Sequence, residues 1–153
     1  MISKLIIYAI SAFGGTFGFS ILINAPKRMV LPAAVTSFFG YGLSTVLLLM
    51  ADFSEMTAYF FASVFMAVLC EIEARVMRMP STIFLLSALV PLVPGYTIYR
   101  AMLFLVENNG ARAAATALSA LQGVAAIAVG AVTASVCFRA LSSRRMRREK
   151  NLK

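Results

Sequence analysis

The chain has 153 residues, of which 61% are hydrophobic and 13% charged, with a formal net charge of +8 and no histidine or tryptophan. A soluble domain would carry about 25% charged residues, whereas apolar runs of roughly 20 residues, long enough to span a bilayer, recur along this sequence. Composition therefore excludes a soluble globular protein and predicts an all-α integral membrane protein.

Five apolar runs predict five transmembrane helices separated by short polar links. The predicted spans run from Leu5 to Asn24, Val30 to Met50, Thr57 to Ala74, Ser81 to Leu105 and Ala113 to Phe138. The first run, at about twenty residues, is longer than the apolar region of a usual signal peptide. We therefore predict a retained first helix and a five-helix transmembrane domain over residues 1–138.

The positively charged residues indicate how the chain crosses the membrane. Eleven of the fourteen lysines and arginines fall on one side of the alternating spans: Lys27, Arg28, Arg75, Arg78 and seven residues of segment 139–153. Only Lys4 and Arg112 fall on the other side, while Arg100 lies within a span. Because cytoplasmic loops carry the excess of positive charge, we predict an external N-terminus, a cytoplasmic C-terminus and an external acidic link containing Asp52 and Glu55.

Segment 139–153 is a predicted basic cytoplasmic tail. Its seven positive charges follow a spanning helix, where such charge is typical of an orientation signal that binds anionic lipid headgroups. Because half of the basic residues are concentrated there, the net charge does not indicate nucleic-acid binding, and we expect no nucleic-acid partner.

Small residues predict two sites of close helix packing. Gly14 and Gly18 form a GxxxG pair in the first span, a spacing that allows two helices to approach closely. In the fifth span Ala126, Gly130 and Ala134 recur at every fourth position. This second stripe fits either packing within the bundle or an interface with another subunit, and the sequence leaves both open.

The fourth span contains a predicted break. Pro91 and Pro94 have no amide hydrogen, so the carbonyls of Ser87 and Val90 each lose a helical partner, and Gly95 can begin a second half-helix with free amides. The break falls at the middle of the span and hence at the predicted membrane midplane. Interrupted backbone at that depth is typical of helices that line a substrate cavity, although a plain proline kink remains the alternative.

The two halves of such a helix present opposite polarity. Released carbonyls suit an ammonium group or a cation, while the start of the second half-helix suits a carboxylate. A charged Arg100 within the span should face protein, water or substrate. The predicted substrate pathway therefore consists of Pro91, Pro94, Gly95, Thr97, Tyr99 and Arg100.

Glu71 and Arg75, near the end of the third span, are four residues apart with the acid first, which is the better order for pairing along a helix. The pair is predicted to be structural, with a coupling or gating role as the alternative. Cys70 and Cys137 are predicted to be small buried thiols, since no metal-binding spacing and no histidine occur. Without a catalytic constellation we expect no enzyme, no cofactor and no metal.

Several segments resemble the threonine/serine exporter (ThrE) family: Glu71-Ile72-Glu73-Ala74-Arg75, Pro80, Pro91-Leu92-Val93-Pro94-Gly95, Tyr99-Arg100 and, in the second span, Phe39-Gly40-Tyr41-Gly42. The resemblance covers nearly the whole chain up to Phe138 and is closest to a short C-terminal-half form that occurs as a separate small subunit. Pro91, Pro94, Gly95 and Tyr99 match the family segment, whereas relatives can carry an uncharged polar residue at position 100.

The resemblance implies a transporter of the bacterial inner membrane. Fused members of the family contain two five-span halves, and split members divide these between two proteins, so a second membrane subunit is the expected partner. The family exports small hydrophilic carboxylates, which are threonine and serine or, in a split branch, dicarboxylates such as succinate. Export is thought to use the proton-motive force.

The sequence thus predicts the small subunit of a two-component exporter, with threonine or serine as the first expected substrate and a dicarboxylate as the second. A membrane scaffold that contacts no substrate is the alternative of another class. It predicts that substitutions at Pro94 and Arg100 reduce transport only as far as they reduce complex formation.

Overall fold

A computed structural model describes residues 2–50 and 53–150 of the chain, and side-chain positions within 5–49 and 53–138 and at 140. The described backbone is helical and contains no strand. Its six α-helices are α1 (Ile2–Leu22), α2 (Lys27–Met50), α3 (Glu55–Met77), α4 (Ser81–Leu89), α5 (Gly95–Val106) and α6 (Gly110–Lys150), with a 3-10 turn at Val90–Leu92. Of the predicted external acidic link, Asp52 lies outside the described residues.

Three of the described helices are long and apolar enough to cross a membrane: α1 over Leu5–Leu22, α2 over Lys27–Leu49 and α6 over Gly110–Phe138. The pair Ser81–Leu92 and Gly95–Val106 makes a fourth if the two are counted as one bent span. The helix that contains the third predicted span, α3, is not among them and carries four charged residues, Glu55, Glu71, Glu73 and Arg75.

Three helices end in the same way. Asn24, Arg78 and Asn108 follow α1, α3 and α5 with left-handed φ angles of 54°, 55° and 57°. In each case the next residue donates its amide to a carbonyl five positions back, as Met79 does to Ala74 at 2.9 Å. This arrangement satisfies carbonyls that a helix end leaves without partners, and it turns the chain back sharply. Each of these helices is therefore joined by a short link to an antiparallel helix that comes next in the chain.

The third helix, α3, lies at the centre of the bundle, in contact with α2, α4 and α6. One core cluster joins these helices and the 3-10 turn through buried side chains that include Met29, Met66, Phe84, Leu92 and Ile127. Buried apolar contacts therefore hold α4 and the turn after it against α2, α3 and α6.

Small residues decide how closely α6 approaches α3. Ala126 and Ala134 are buried, and an added Cβ at Gly130 would lie 2.7 Å from the carbonyl oxygen of Phe60 and closer still to the hydroxyl of Ser63. The stripe of small residues in α6 therefore packs within this chain. The alternative, in which these residues form an interface with another subunit, is wrong because α3 already occupies that face.

Two other sequence-based expectations need correction. No atom lies within 4 Å of an added Cβ at Gly14 or Gly18, so the GxxxG pair makes no close approach to another helix of this chain. Cys70 is buried, but Cys137 is exposed, near the end of the apolar segment of α6. The tail also differs in form, since α6 continues as helix to Lys150. Its side chains at 139 and 141–150, and residues 151–153, lie outside the described set.

Candidate functional site

The break between α4 and α5 consists of a 3-10 turn at Val90–Leu92, followed by Val93 and Pro94. The chain leaves α4 through the 3-10 turn that contains Pro91, and Val93 is extended, with φ −61° and ψ 129°. Pro94 then adopts φ −75° and ψ 57°, and α5 begins at Gly95. The axes of the two helices meet at 51°. The position of the break agrees with the two proline-dependent interruptions in the sequence.

The backbone hydrogen bonds at the break differ from the sequence-based expectation. The carbonyl of Val90 does not lose its partner, because the amide of Val93 donates to it at 3.2 Å. The amide of Gly95 is not free either, because it donates to the carbonyl of Val93 at 2.7 Å across a tight turn centred on Pro94. This turn has the angles of an inverse γ-turn. It is the amides of Tyr96 and Thr97 that form the open first turn of α5.

The depth of the break is given by its contact with α6. An added Cβ at Gly123 would lie 3.7 Å from Cγ of Pro94 and 3.2 Å from the Tyr59 ring. Gly123 is thirteen residues after the start of the apolar segment Gly110–Phe138 and fifteen before its end. Pro94 therefore lies level with the centre of this apolar segment.

One side of the break is enclosed and the other is open. Leu92 and Pro94 are buried against the bundle. On α5, in contrast, the side chains of Tyr96 and Tyr99 are 73% and 63% exposed, and Arg100 is exposed as well. The predicted pathway residues therefore divide into prolines that fix the backbone and polar side chains that face away from this chain's core.

A cleft of about 320 Å³ lies beside this open face, between the starts of α3 and α6 and the first turns of α5. It is lined by Glu55, Tyr96, Thr97, Arg100, Ala115, Thr116 and Ser119. Two of the predicted pathway residues, Thr97 and Arg100, thus share a cleft with a carboxylate, a phenol and two further hydroxyls. Tyr99 and the prolines do not line it.

The cleft contains one negative and one positive side chain. Glu55 contributes a carboxylate from the first residue of α3, and Arg100 contributes a guanidinium from α5. The hydroxyls of Thr116 and Ser119 donate to carbonyls of their own helix, at 2.8 and 3.1 Å, so towards the cleft they offer lone pairs. The hydrogen-bond acceptors Glu55, Thr116 and Ser119 therefore lie on α3 and α6, and the N–H donors of Arg100 lie on α5.

Arg100 is positioned by aromatic side chains of its own helix. Its guanidinium carbon lies 5.3 Å from the centre of the Phe104 ring and 5.9 Å from that of the Tyr96 ring. A cation over ring faces gains a modest attraction while its planar donors remain available. The guanidinium can therefore still donate to a carboxylate in the cleft.

Glu71 and Arg75 each make a contact outside the predicted pair. Glu71 is buried and accepts a hydrogen bond from the hydroxyl of Ser81 at 2.9 Å, which joins the end of α3 to the start of α4. The guanidinium of Arg75 lies over the ring of Phe138, 4.3 Å from its centre, and so joins α3 to α6. These contacts agree with a structural role for both residues.

The sequence analysis missed two carboxylates. Glu55 was assigned only to an external link, since nothing in the sequence relates it to Arg100, which is 45 positions away. Glu73 was only part of a matching segment, yet it accepts a hydrogen bond from Thr36 of α2, and its other oxygen is buried with no hydrogen-bond partner. An acidic residue within an apolar helix was the one available signal for Glu73.

Comparisons with known proteins identify the family. The model of the threonine/serine exporter family, ThrE, matches residues 8–137. This range includes α2 to α5 in full, and all of α1 and α6 except the start of α1 and the end of α6. No curated protein and no solved structure matches the sequence. The matched family is one of exporters rather than enzymes, in agreement with the apolar helices of a membrane protein. Because the match covers most of its length, this chain belongs to the threonine/serine exporter (ThrE) family.

Proposed function

We propose that this chain is the small subunit of a two-component secondary exporter of threonine or serine in the bacterial inner membrane. Its partner is a second membrane subunit that carries the other five-helix half. The observation that carries the proposal is the cleft in which Glu55 and Arg100 offer opposite charges beside several hydroxyl groups.

The charges in the cleft suit an amino-acid zwitterion. Arg100 and the open amides of the first turn of α5 can bind the carboxylate, because both present N–H donors and positive charge. Glu55 and the outward lone pairs of Thr116 and Ser119 can accept from the ammonium group. Hydroxyls in the cleft also suit the side chain of threonine or serine.

A dicarboxylate fits the same cleft less well. Its second carboxylate has no counterpart among the cleft's side chains, since Arg100 is the one basic residue there. Glu55 would repel this second carboxylate. The carboxylate also has no N–H group to donate to the acceptors of α6, whereas the ammonium group of threonine has three. We therefore place threonine and serine before succinate as substrates.

The proposed topology has five spans, with an external N-terminus and a cytoplasmic C-terminus. In it α3 is the third span, and α4 with α5 forms a fourth span broken at Pro91, Pro94 and Gly95. The close approach of Pro94 to Gly123, at the centre of the apolar segment of α6, supports a break within the membrane. The basic end of α6 then lies on the cytoplasmic side, where it meets anionic lipid.

The open face of α5 supports a second subunit. Tyr96, Tyr99 and Arg100 are exposed at a depth where lipid would otherwise surround them. A charged arginine in the hydrocarbon costs about 2.5–3.5 kcal/mol on insertion scales, so such residues face protein, water or substrate. A partner packed over α5 would enclose the cleft and complete the pathway.

Efflux tests the proposed function. Cells preloaded with labelled threonine, serine or succinate express this chain alone, its large subunit alone, or both. We expect threonine or serine to leave only from cells that contain both chains in the membrane. Efflux by this chain alone would contradict the two-component proposal, and efflux of succinate alone would contradict the assigned substrate.

Neutralising each charge of the cleft separates the two substrate classes. For threonine, both Arg100→Gln and Glu55→Gln should weaken apparent affinity by roughly ten-fold or more, since each removes a charge-assisted hydrogen bond. For a dicarboxylate, Arg100→Gln should weaken affinity and Glu55→Gln should strengthen it. Efflux measured over a range of internal concentrations gives both values.

The matched control is Glu107→Gln, which neutralises an exposed carboxylate at the end of α5 that does not line the cleft. It should leave the affinity for threonine within a factor of about two. If Glu55→Gln affects threonine no more than this control does, Glu55 does not bind the ammonium group.

A further inference from the structure

The carboxyl group of Glu73 is the least satisfied ionisable group in the described part of the chain. Glu73 lies near the C-terminal end of α3, and its Oε1 accepts a hydrogen bond from the hydroxyl of Thr36 on α2. Its Oε2 is buried and has no hydrogen-bond partner. Because this oxygen is enclosed by the chain's own helices, a partner subunit cannot reach it while these helices keep their positions.

Among the side chains that the structure describes, the helices around Glu73 supply no counter-charge. Within the described side chains, the titratable groups on α3 and on the helices packed against it are Lys27, Arg28 and Tyr41 on α2, Glu55, Tyr59, Cys70, Glu71 and Arg75 on α3, and Arg112 and Cys137 on α6, with none on α4. No described lysine or arginine forms an ion pair with Glu73. Lys27, Arg28 and, in the link after α3, Arg78 are exposed, and Arg75 lies over Phe138.

Such surroundings favour a neutral carboxyl group. Glu73 is half-buried as a residue, but its carboxylate would lose its hydration at Oε2 without a hydrogen bond in return. The protonated group leaves only one uncharged hydroxyl unsatisfied there. Buried acids of this kind in membrane helices are costly and mark proton relays in pumps and transporters. A purely structural link between α2 and α3 would need only a neutral partner for Thr36, such as glutamine.

We propose that Glu73 is the proton-carrying group of this exporter, and this inference rests on the proposed function. One proton from the external side binds to Oε2 and converts the carboxylate to a carboxylic acid, which is the form that the enclosure of Oε2 favours. When α2 and α3 open towards the cytoplasm, the same proton passes to water and the carboxylate is restored. One proton thus enters for each threonine zwitterion exported, and one positive charge moves inward.

The protonated carboxyl group can be observed without any substrate. Infrared spectra of the full chain in membranes, recorded in a pH titration, should contain the carbonyl band of a protonated carboxyl group at neutral pH. The band should disappear in Glu73→Gln and persist in Glu71→Gln, a matched change two residues away. A wild-type chain that lacks the band at neutral pH would overturn the proposal, and this measurement needs no variant to fold.

Transport by the reconstituted two-chain complex gives the second readout. In vesicles with an imposed pH gradient, Glu73→Gln should lose gradient-driven threonine accumulation but keep exchange of external for internal threonine within about two-fold of wild type. Glu107→Gln, which neutralises an exposed carboxylate at the end of α5, should keep both. Gradient-driven accumulation by Glu73→Gln would contradict a proton-carrying role. A complex that moves no threonine at all would count against the proposed function, while the infrared band would still decide the state of Glu73.

Discussion

Replacing Gly130 with alanine is expected to force α3 and α6 apart and to destabilise the bundle by about 1–3 kcal/mol, the usual cost of overpacking a close-packed site. The added methyl group would meet the carbonyl oxygen of Phe60 at 2.7 Å and the hydroxyl of Ser63 at a shorter distance. Backbone cannot move aside as a long side chain can, so the helices themselves must shift. Denaturant-induced unfolding of the chain in detergent measures the change in stability.

Two other glycines provide matched controls. Gly14→Ala places its methyl group where nothing lies within 4 Å, so stability should change by no more than about 0.5 kcal/mol. Gly40→Ala meets Cγ and Sδ of the buried Met66 side chain rather than backbone, so Met66 must repack and the effect should be intermediate. Equal stability of Gly130→Ala and Gly14→Ala would mean that α3 and α6 are not as close as described.

Replacing Pro94 with alanine is expected to reduce threonine efflux by about ten-fold or more, because exporters depend on the exact placement of pathway groups. Alanine restores an amide that can donate to the carbonyl of Val90, which allows the helix to continue through the tight turn at Pro94. The 51° angle between α4 and α5 would then decrease, and Arg100 would move away from Glu55. Efflux from cells is compared with the amount of two-chain complex that can be purified from the same membranes.

Pro32→Ala is the control for this substitution, since α2 remains helical across Pro32 and no break depends on it. It should change efflux by less than about two-fold. If Pro94→Ala lowers efflux only in proportion to the lost complex, the scaffold alternative is favoured over a substrate pathway.

The sequence predicted those features that depend on local chemistry. Apolar runs located the helix ends to within a few residues, except that α6 continues twelve residues beyond Phe138, since hydrophobicity does not mark the end of a helix that leaves the apolar region. Proline's missing amide located the break at Pro91 and Pro94. The hydrogen bonds across the break were not predictable, because Val93 and Gly95 satisfy carbonyls through a 3-10 turn and a tight turn that require particular ψ angles.

Features that depend on tertiary contacts were missed or assigned wrongly. Gly14 and Gly130 belong to similar small-residue patterns, but only Gly130 meets another helix of this chain, and no local signal distinguishes them. Glu55 and Arg100 line the same cleft only because α3 and α5 start at neighbouring positions of the bundle. The enclosed oxygen of Glu73 likewise depends on how α2 covers α3.

We propose that the break between α4 and α5 lines a water-filled pathway for the substrate. Substrate-protected cysteine labelling tests this most directly. Thr97→Cys, which lies in the cleft, is introduced into a chain in which Cys70 and Cys137 are replaced, and Val132→Cys on the exposed side of α6 serves as the control. In the two-chain complex, a small water-soluble thiol reagent should label Thr97→Cys, threonine should slow that labelling, and Val132→Cys should not respond to threonine. Labelling of Thr97→Cys that threonine leaves unchanged, in a complex that still exports it, would contradict a substrate pathway at this break.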